Sequence, residues 1–306
     1  MILDCDPGHD DAVALLLALG HPRSELRLVS CVAGNQDVGK TWLSARRVCG
    51  LAGSRVPVVA GASQPMSGPL ITAAAIHGES GLDGPDLEGY DVAIDTRDAV
   101  DAMIEVLRDA VNGVTIVATG PLTNVAQLLL RGKHLDAIER IIFMGGSTER
   151  GNWAPYSEFN MLVDPEAADV VMNSGIPTTM VGLNVTHQAL VTPEVVSRFS
   201  RLGDPIGLTC VHWMTYFEEA YRTVFGFKYP PLHDVVAVAA AINPDLLTTA
   251  HYRVEVEKIG EFTRGATVVD IHDRWGAEPN VHVATGLNVA GLWETMLEGI
   301  SRLPLA

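Results

Sequence analysis

Residues 1–20 read MILDCDPGHDDAVALLLALG, and this stretch decides the predicted fold. Its apolar start runs into Asp4 and Asp6, which predicts a short β-strand on which these two carboxylates share a face. The Pro-Gly pair that follows predicts a turn. The apolar run over residues 12–19 then predicts a buried helix. Strand, turn and helix in this order are the opening unit of an α/β sheet.

Four carboxylates lie within eight positions of this stretch, namely those of Asp4, Asp6, Asp10 and Asp11. Burial and mutual repulsion would raise their pKa values unless a cation pairs with them. Oxygen donors without a Cys or His cluster favour Ca²⁺ or Mg²⁺ over zinc. The alternative is a solvated acidic turn that caps the helix, for which one or two acids would suffice. We therefore expect a cation site where the strand ends.

Composition restricts the possible partners and locations of the chain. Of its 306 residues, 47% are hydrophobic and 19% are charged, enough apolar material for a sizeable core. A formal net charge of -16 argues against nucleic acid as a partner and favours neutral over anionic substrates. The four cysteines form no CxxC pair, no leader is recognised, and no apolar run approaches the roughly 20 residues of a membrane span. We expect a cytoplasmic protein that does not enter a membrane.

Strand and helix patterns alternate along the rest of the chain, which predicts an open, mostly parallel Rossmann-like sheet flanked by helices. Further strands are expected at residues 26–32, 56–60, 114–118, 141–144 and 178–183, and a hairpin at one sheet edge from residues 254–257 and 267–271. Helices are expected at residues 41–52, 99–110, 125–130, 205–227, 235–242 and 292–303, and from Pro165 onward. The long segments 63–89 and 148–160 are predicted to be functional loops.

Three motifs carry a resemblance to a known family. The pattern Asp-x-Asp-x3-Asp-Asp at residues 4–11 resembles the signature of the inosine–uridine-preferring nucleoside hydrolases. The segment Gly-Asn-x5-Glu-Phe-Asn at 151–160 and the His-Asp pair at 233–234 are similar to later segments of that family. The resemblance implies one nucleoside hydrolase domain over residues 1–306. It also implies hydrolysis of the N-glycosidic bond of ribonucleosides in nucleoside salvage, by a dimeric or tetrameric homo-oligomer.

The resemblance implies a Ca²⁺ site with four protein ligands. These are Asp6, Asp11, the backbone carbonyl of Thr119, and Asp234. A carbonyl with several carboxylates suits Ca²⁺. Asp6 would also take the proton of the attacking water. Asp4 would support the site from behind the ligands.

The resemblance also assigns residues to the substrate. Asp10 and Asn35 would bind ribose hydroxyls or orient the water, and Asn152, Glu158 and Asn160 would hold the sugar hydroxyls. At the other end, His233 would help to protonate the departing base, His77 would lie on a loop that closes over it, and Tyr221 would contact it. His9 and His187 are expected to be structural. For the loop asparagines, ordinary turn caps are an alternative.

Two other classes of protein compete with this interpretation. A haloacid-dehalogenase-type phosphatase with Mg²⁺ would use Asp4 as nucleophile and Asp6 as acid, but the Pro-Gly pair and the two later motifs do not fit it. A nucleoside- or ribose-binding protein without turnover is the other alternative. The His-Asp pair resembles the branch that acts on pyrimidine nucleosides or on inosine and uridine. Asn184 and Val235 depart from residues common in the family, which leaves the preferred base open.

Overall fold

The computed structural model describes residues 1–203 and 205–304, so that positions 204, 305 and 306 of the predicted domain lie outside it. Within these ranges the strands are β1 (Ile2–Cys5), β2 (Leu28–Cys31), β3 (Val58–Ala60), β4 (Val114–Ala118), β5 (Ile138–Met144), β6 (Thr178–Val181), β7 (Leu247–Tyr252), β8 (Val254–Val256), β9 (Thr267–Val269) and β10 (Val281–Leu287). The helices are α1 (His9–Gly20), α2 (Val38–Leu51), α3 (Ala74–His77), α4 (Ala99–Arg108), α5 (Thr123–Arg131), α6 (Phe159–Val163), α7 (Pro165–Met172), α8 (Leu183–Thr186), α9 (Pro193–Ser200), α10 (Ile206–Phe225), α11 (Asp234–Ile242) and α12 (Val289–Ile300).

An eight-stranded sheet forms the centre of the described part of the chain, in the order β3-β2-β1-β4-β5-β6-β10-β7. In this spatial order, each of the first seven strands runs parallel to its neighbours among them, and the last strand, β7, runs antiparallel to β10. The mostly parallel α/β class predicted from the sequence is therefore confirmed. The chain reverses its direction of winding between β1 and β4. Open α/β sheets place ligands at such a switch point, beside the carboxyl ends of the strands.

Helices cover both faces of the sheet and bury two apolar cores. Along β1, Leu3 and Cys5 face the core that includes α1, α11 and α12, whereas Ile2 faces the core that includes α4, α5 and α7. Helix α1 is the most central of these elements, because residues 12–18 are completely buried. Its burial fixes the position of the acidic residues in its first turn.

The late strands differ from the prediction. The expected hairpin is present as β8 and β9, which pair antiparallel, but they form a separate two-stranded sheet and not an edge of the main one. That edge is β7, which together with β10 was not predicted. The side chains of β7 are half-buried or exposed, so the strand lacks the apolar pattern of a buried one. The predicted loop 63–89 contains the short helix α3, and the loop 148–160 ends inside α6.

Candidate active site

A group of buried carboxylates lies where two helices begin. Asp10 and Asp11 are in the first turn of α1, and Asp234 is the first residue of α11. Each offers one oxygen atom to a cluster in which these atoms lie within 4.8 Å of one another. The predicted partners Asp11 and Asp234 are thus brought together. The cluster also includes Asp10, for which we had expected a contact with ribose.

Asp6 lies next to this cluster at the end of β1. Its Oδ2 accepts a hydrogen bond from the backbone N–H of Asn35 at 2.7 Å. The side-chain amide of Asn35 donates to Asp6 O at 3.1 Å and to Asp11 Oδ2 at 3.2 Å, which ties the two acids together. Asp6 Oδ1 is buried and has no hydrogen-bond partner among the described residues. A buried carboxylate oxygen without a partner needs a proton, a water or a cation.

Thr119, at the end of β4, joins the acids to the neighbouring loop. Its hydroxyl donates to Asp11 Oδ1 at 2.7 Å, and its carbonyl oxygen accepts from the side-chain amide of Asn160 at 2.8 Å. The same amide donates to Met144 O at 3.1 Å, so that Asn160 bridges the ends of β4 and β5. Thr119 therefore links the acid cluster to the loop that carries Asn160.

The electrostatics of this group favour a bound cation. Burial raises the pKa of Asp10 to about 7, and repulsion by Asp11 adds to the effect. Burial followed by the charges of neighbouring acids also raises the pKa values of Asp6 and Asp234 well above their usual range. Burial likewise raises the pKa of Asp11. Oxygen donors in this state, one of them an orphaned oxygen, fit a hard divalent cation.

Asp4 lies in β1, two residues before Asp6, and neighbouring side chains hold its carboxylate in place. The Ser30 hydroxyl and the Asn124 side-chain amide donate to its Oδ1 at 2.5 and 2.8 Å. Burial raises the pKa of Asp4 to about 7, and these two hydrogen bonds oppose the rise. Asn124 also donates to Cys31 O at 3.0 Å, so one amide links β1, β2 and α5. The sequence did not single out Asn124.

The predicted sugar-binding residues share one cavity with the acids. The wall of this cavity includes Asn35, Asn152, Glu158 and Asn160 as well as Asp10 and Asp234. Asn152 Oδ1 accepts from the backbone N–H of Phe159 at 3.1 Å, which is a turn-capping contact. Glu158 Oε2 accepts from the N–H groups of Gly146 and Met161 at 3.1 and 3.2 Å. Burial raises the pKa of Glu158 to about 7.

The wall of the same cavity also holds the aromatic residues predicted to face a base. The Tyr221 hydroxyl lies 2.7 Å from His233 Nε2, and the Thr186 hydroxyl lies 2.7 Å from Nδ1. The backbone N–H of His233 donates to Asp10 Oδ2 at 3.2 Å, which connects this histidine to the acids. Burial lowers the pKa of His233 well below its usual value, so the imidazole is neutral. His77 also lines the cavity, beside Phe217.

Comparison with known proteins agrees with this geometry. A sequence model of the family described as inosine-uridine preferring nucleoside hydrolase matches residues 1–294. The chain belongs to this family. It is 42% identical to the pyrimidine-specific ribonucleoside hydrolase RihA of Enterobacter sp. (strain 638), over 100% of this chain and 98% of that protein. The RihA protein of Klebsiella pneumoniae (strain 342) is 44% identical over 92% and 91% of the two chains.

A solved structure extends this agreement to the fold. The purine-preferring ribonucleoside hydrolase from Gardnerella vaginalis superposes with a TM-score of 0.90 at 32% identity, covering 99% of this chain and 98% of that one. The chain is thus a single α/β nucleoside hydrolase domain and an enzyme that hydrolyses N-glycosidic bonds. The family match also excludes the haloacid-dehalogenase alternative.

Several residues of this nucleoside hydrolase site were not found from the sequence. Thr186 contacts His233, and Trp153 and Phe217 form part of the cavity wall. Thr186 lies 47 residues from its partner, so no local pattern could have identified it. His9 was expected to be structural, yet its ring contacts His77 in the wall.

Proposed function

We propose that this protein is a Ca²⁺-dependent ribonucleoside hydrolase that releases free base and ribose, preferably from the pyrimidine nucleosides uridine and cytidine or from inosine, in nucleoside salvage. One observation carries the proposal: Asp10 and Asp234, two members of the buried acid cluster, line the same cavity as His77, Tyr221 and His233. The names of the RihA relatives support pyrimidine nucleosides.

Asp6, Asp11, Asp234 and the Thr119 carbonyl would hold the cation. The orphaned Asp6 Oδ1 and the raised pKa values of the three acids, which burial causes first, support this set. When bound, Ca²⁺ supplies positive charge that offsets the acids and Lewis acidity that activates water. Asp10 belongs to the cluster with Asp11 and Asp234, which makes it a further candidate ligand.

The attacking water would lose its proton to Asp6. Its Oδ1 has no hydrogen-bond partner among the described residues, whereas the backbone N–H of Asn35 fixes Oδ2. A base held in one orientation beside the reacting atoms contributes about 10²–10⁴-fold to the rate. Asn35 keeps Asp6 and Asp11 in register through its amide.

The ribose would lie between the acids and the loop 151–160. Breaking the N-glycosidic bond develops positive charge on the sugar, which carboxylates stabilise. Asp10 and Glu158 are the carboxylates of the cavity wall placed for this role, with Asn35, Asn152 and Asn160 as hydroxyl partners. Asn160 is held rigidly by two carbonyl oxygens, which favours a defined sugar position.

The departing base needs a proton. His233 is proposed to relay this proton, because its neutral ring lies between the hydroxyl groups of Thr186 and Tyr221 and can take up a proton at one nitrogen as it gives one up at the other. The Tyr221 hydroxyl, 2.7 Å from Nε2, orients the imidazole and can transmit a proton toward the base. His77 would contact the base from the opposite wall. Aromatic side chains around it, such as Phe217, would exclude water.

The test is release of ribose from uridine, cytidine, inosine and adenosine, with and without a Ca²⁺ chelator. Asp6→Asn is the active-site variant, and Asp136→Asn, at an exposed position, is the matched control. We expect release that the chelator abolishes, that Asp6→Asn lowers by at least about 10²-fold, and that Asp136→Asn leaves unchanged. Ca²⁺-dependent nucleoside binding without ribose release would contradict the proposal and favour a binding protein.

The proposal extends to the state of the protein in the cell. Residues 1–306 would act as one domain in a cytoplasmic dimer or tetramer. The four cysteines are buried free thiols, which suits a reducing compartment.

Ile259 and Phe262 are 92% and 79% exposed on the loop between β8 and β9, which suits a contact between subunits. None of the described helices is both long and apolar enough to cross a membrane. A monomer in sedimentation analysis would refute this assembly.

A further inference from the structure

His9 is a buried histidine outside the roles assigned above. It is the first residue of α1 and is 1% exposed. Its ring stacks on Tyr216, with ring centroids 4.7 Å apart and an angle of 9° between the ring planes. The cavity wall includes His77, and His9 lies behind it. Any effect of His9 on the reaction must therefore pass through another residue.

The ring of His9 joins the two ends of one loop. Its Nδ1 lies 3.1 Å from His77 Nδ1, and its backbone N–H points at the same nitrogen at 3.2 Å. On its other side, Nε2 lies 2.8 Å from the backbone carbonyl oxygen of Asp83. The Asp83 N–H in turn donates to His77 O at 3.2 Å. His77, Asp83 and the imidazole of His9 therefore form a closed circuit.

The orientation of the His77 ring depends on this circuit. Because His9 Nε2 donates to the carbonyl oxygen of Asp83, Nδ1 of the neutral His9 ring is an acceptor, and the His77 ring donates its Nδ1–H to it. Among the described residues, His9 is thus the hydrogen-bonding partner of the His77 ring. A second hydrogen bond to the loop, from the Gln36 side-chain amide to Gly78 O at 3.1 Å, holds the backbone but does not restrict rotation of the His77 ring. The ring also packs closely over Gly8, where a Cβ atom would overlap it. Packing and hydrogen bonding thus fix one ring position.

We propose that His9 is a positioning residue that fixes the His77 ring, and with it the loop 77–83, against the wall of the nucleoside cavity. The inference rests on the proposed function, because His77 matters to catalysis only if it contacts the base. Without the His9 ring, His77 gains rotational freedom and the loop loses its tie to α1. Misplacing a substrate-contacting group by about 1 Å can cost about 10²-fold in rate.

A double-mutant cycle tests whether His9 acts through His77. The variants are His9→Leu, His77→Ala and the double variant, with His251→Leu as a control at an exposed histidine. We expect His9→Leu to lower kcat/KM for the best nucleoside by about 10–100-fold in the wild-type background. In the His77→Ala background the same change should cost less than about 3-fold. Equal losses in both backgrounds, or full activity of His9→Leu, would overturn the proposal.

Two amide variants at position 9 test the positioning role even if His9→Leu does not fold. Asparagine places a polar atom near the position of Nδ1, and glutamine places one near Nε2. If the contact with His77 is the essential one, His9→Asn retains most activity and His9→Gln does not. Equal activity of the two variants would contradict it.

The same cycle is measured on the dissociation constant of the nucleoside. A wild-type protein that binds without releasing ribose refutes the proposed function, and the binding cycle still decides the role of His9. A coupling between His9 and His77 in binding supports the positioning role. Independent effects of the two changes on binding overturn it.

Discussion

Replacing Glu158 by glutamine should change how the stability of the protein depends on pH. Glu158 is 3% exposed, and its Oε2 accepts from the backbone N–H groups of Gly146 and Met161. A glutamine carbonyl oxygen can accept both hydrogen bonds, so that Glu158→Gln keeps the local structure. What the variant removes is the ability to ionise.

The size and sign of the effect follow from the pKa. Burial raises the pKa of Glu158 from 4.5 to about 7 in the folded chain. At about 1.4 kcal/mol for each tenfold change in proton affinity, this amounts to about 3 kcal/mol. Because the pKa of Glu158 is higher in the folded than in the unfolded chain, the protonated side chain contributes its full stabilisation below pH 4.5. This contribution is lost as the pH rises through 7. The wild type should therefore lose about 3 kcal/mol relative to Glu158→Gln between pH 4.5 and 8.

Urea unfolding of both proteins at several pH values measures this difference directly. A chelator is present throughout, since a bound cation would add its own dependence on pH. Other buried acids titrate in both proteins and cancel in the comparison. A difference in unfolding free energy that stays constant between pH 4.5 and 8 would refute the reasoning, and so would a wild type that gains stability relative to the variant.

Three further predictions concern the cation, the core and the approach to Asp6. Ca²⁺ at 100 times its dissociation constant should stabilise the chelated protein by about 2.7 kcal/mol, and a Tm that does not respond to Ca²⁺ would contradict the site. Leu16→Ala should cost about 2–5 kcal/mol in urea unfolding, because this side chain is completely buried in α1; a loss below about 1 kcal/mol would be inconsistent with the packing. Gly34→Ala should abolish ribose release, since its Cβ would overlap Asp6 Oδ2. Gly39→Ala, at an exposed position of α2, should retain full activity, and equal activity of the two variants would argue against this clash.

Six of the eight strands of the described sheet were predictable because their signals are local. Strands β1 to β6 are short apolar runs bounded by polar or glycine-containing segments, and buried parallel strands have this composition. Strand β7 lacks it, because its side chains are half-buried or exposed, and it pairs with β10 about 30 residues later. Their pairing depends on tertiary packing, which a local pattern does not contain.

The same distinction applies to the site. Asp10 and Asp11 were predictable as close neighbours because a single turn of helix places them, and Asp234 entered through the family resemblance. The contacts of Asn124 with Asp4 and of His9 with His77 join residues 120 and 68 positions apart. Neither pair has a sequence spacing that indicates contact. Supporting residues of this kind are visible only once the chain is folded.

The two helices that carry the acids are built in the same way. In α1 and in α11, acidic residues occupy the first turn and a run of buried apolar residues follows, and the two helices pack on each other. A carboxylate at a helix start gains about 0.3–1 kcal/mol from the helix dipole, whereas burying it costs several kcal/mol. The dipole alone therefore cannot hold three acids together.

In the proposed mechanism the remaining stabilisation comes from the core and from the cation. Leu15, Leu16 and Leu17 are completely buried, at about 1.5–3 kcal/mol each, so the packing of α1 can hold its acids in place without neutralising them. Packing does nothing to relieve the repulsion between the charges themselves. The helix core thus sets where the acids lie, and the proposed Ca²⁺ would allow them to remain ionised there. Changes in the apolar run should consequently weaken Ca²⁺ binding even though they touch no ligand.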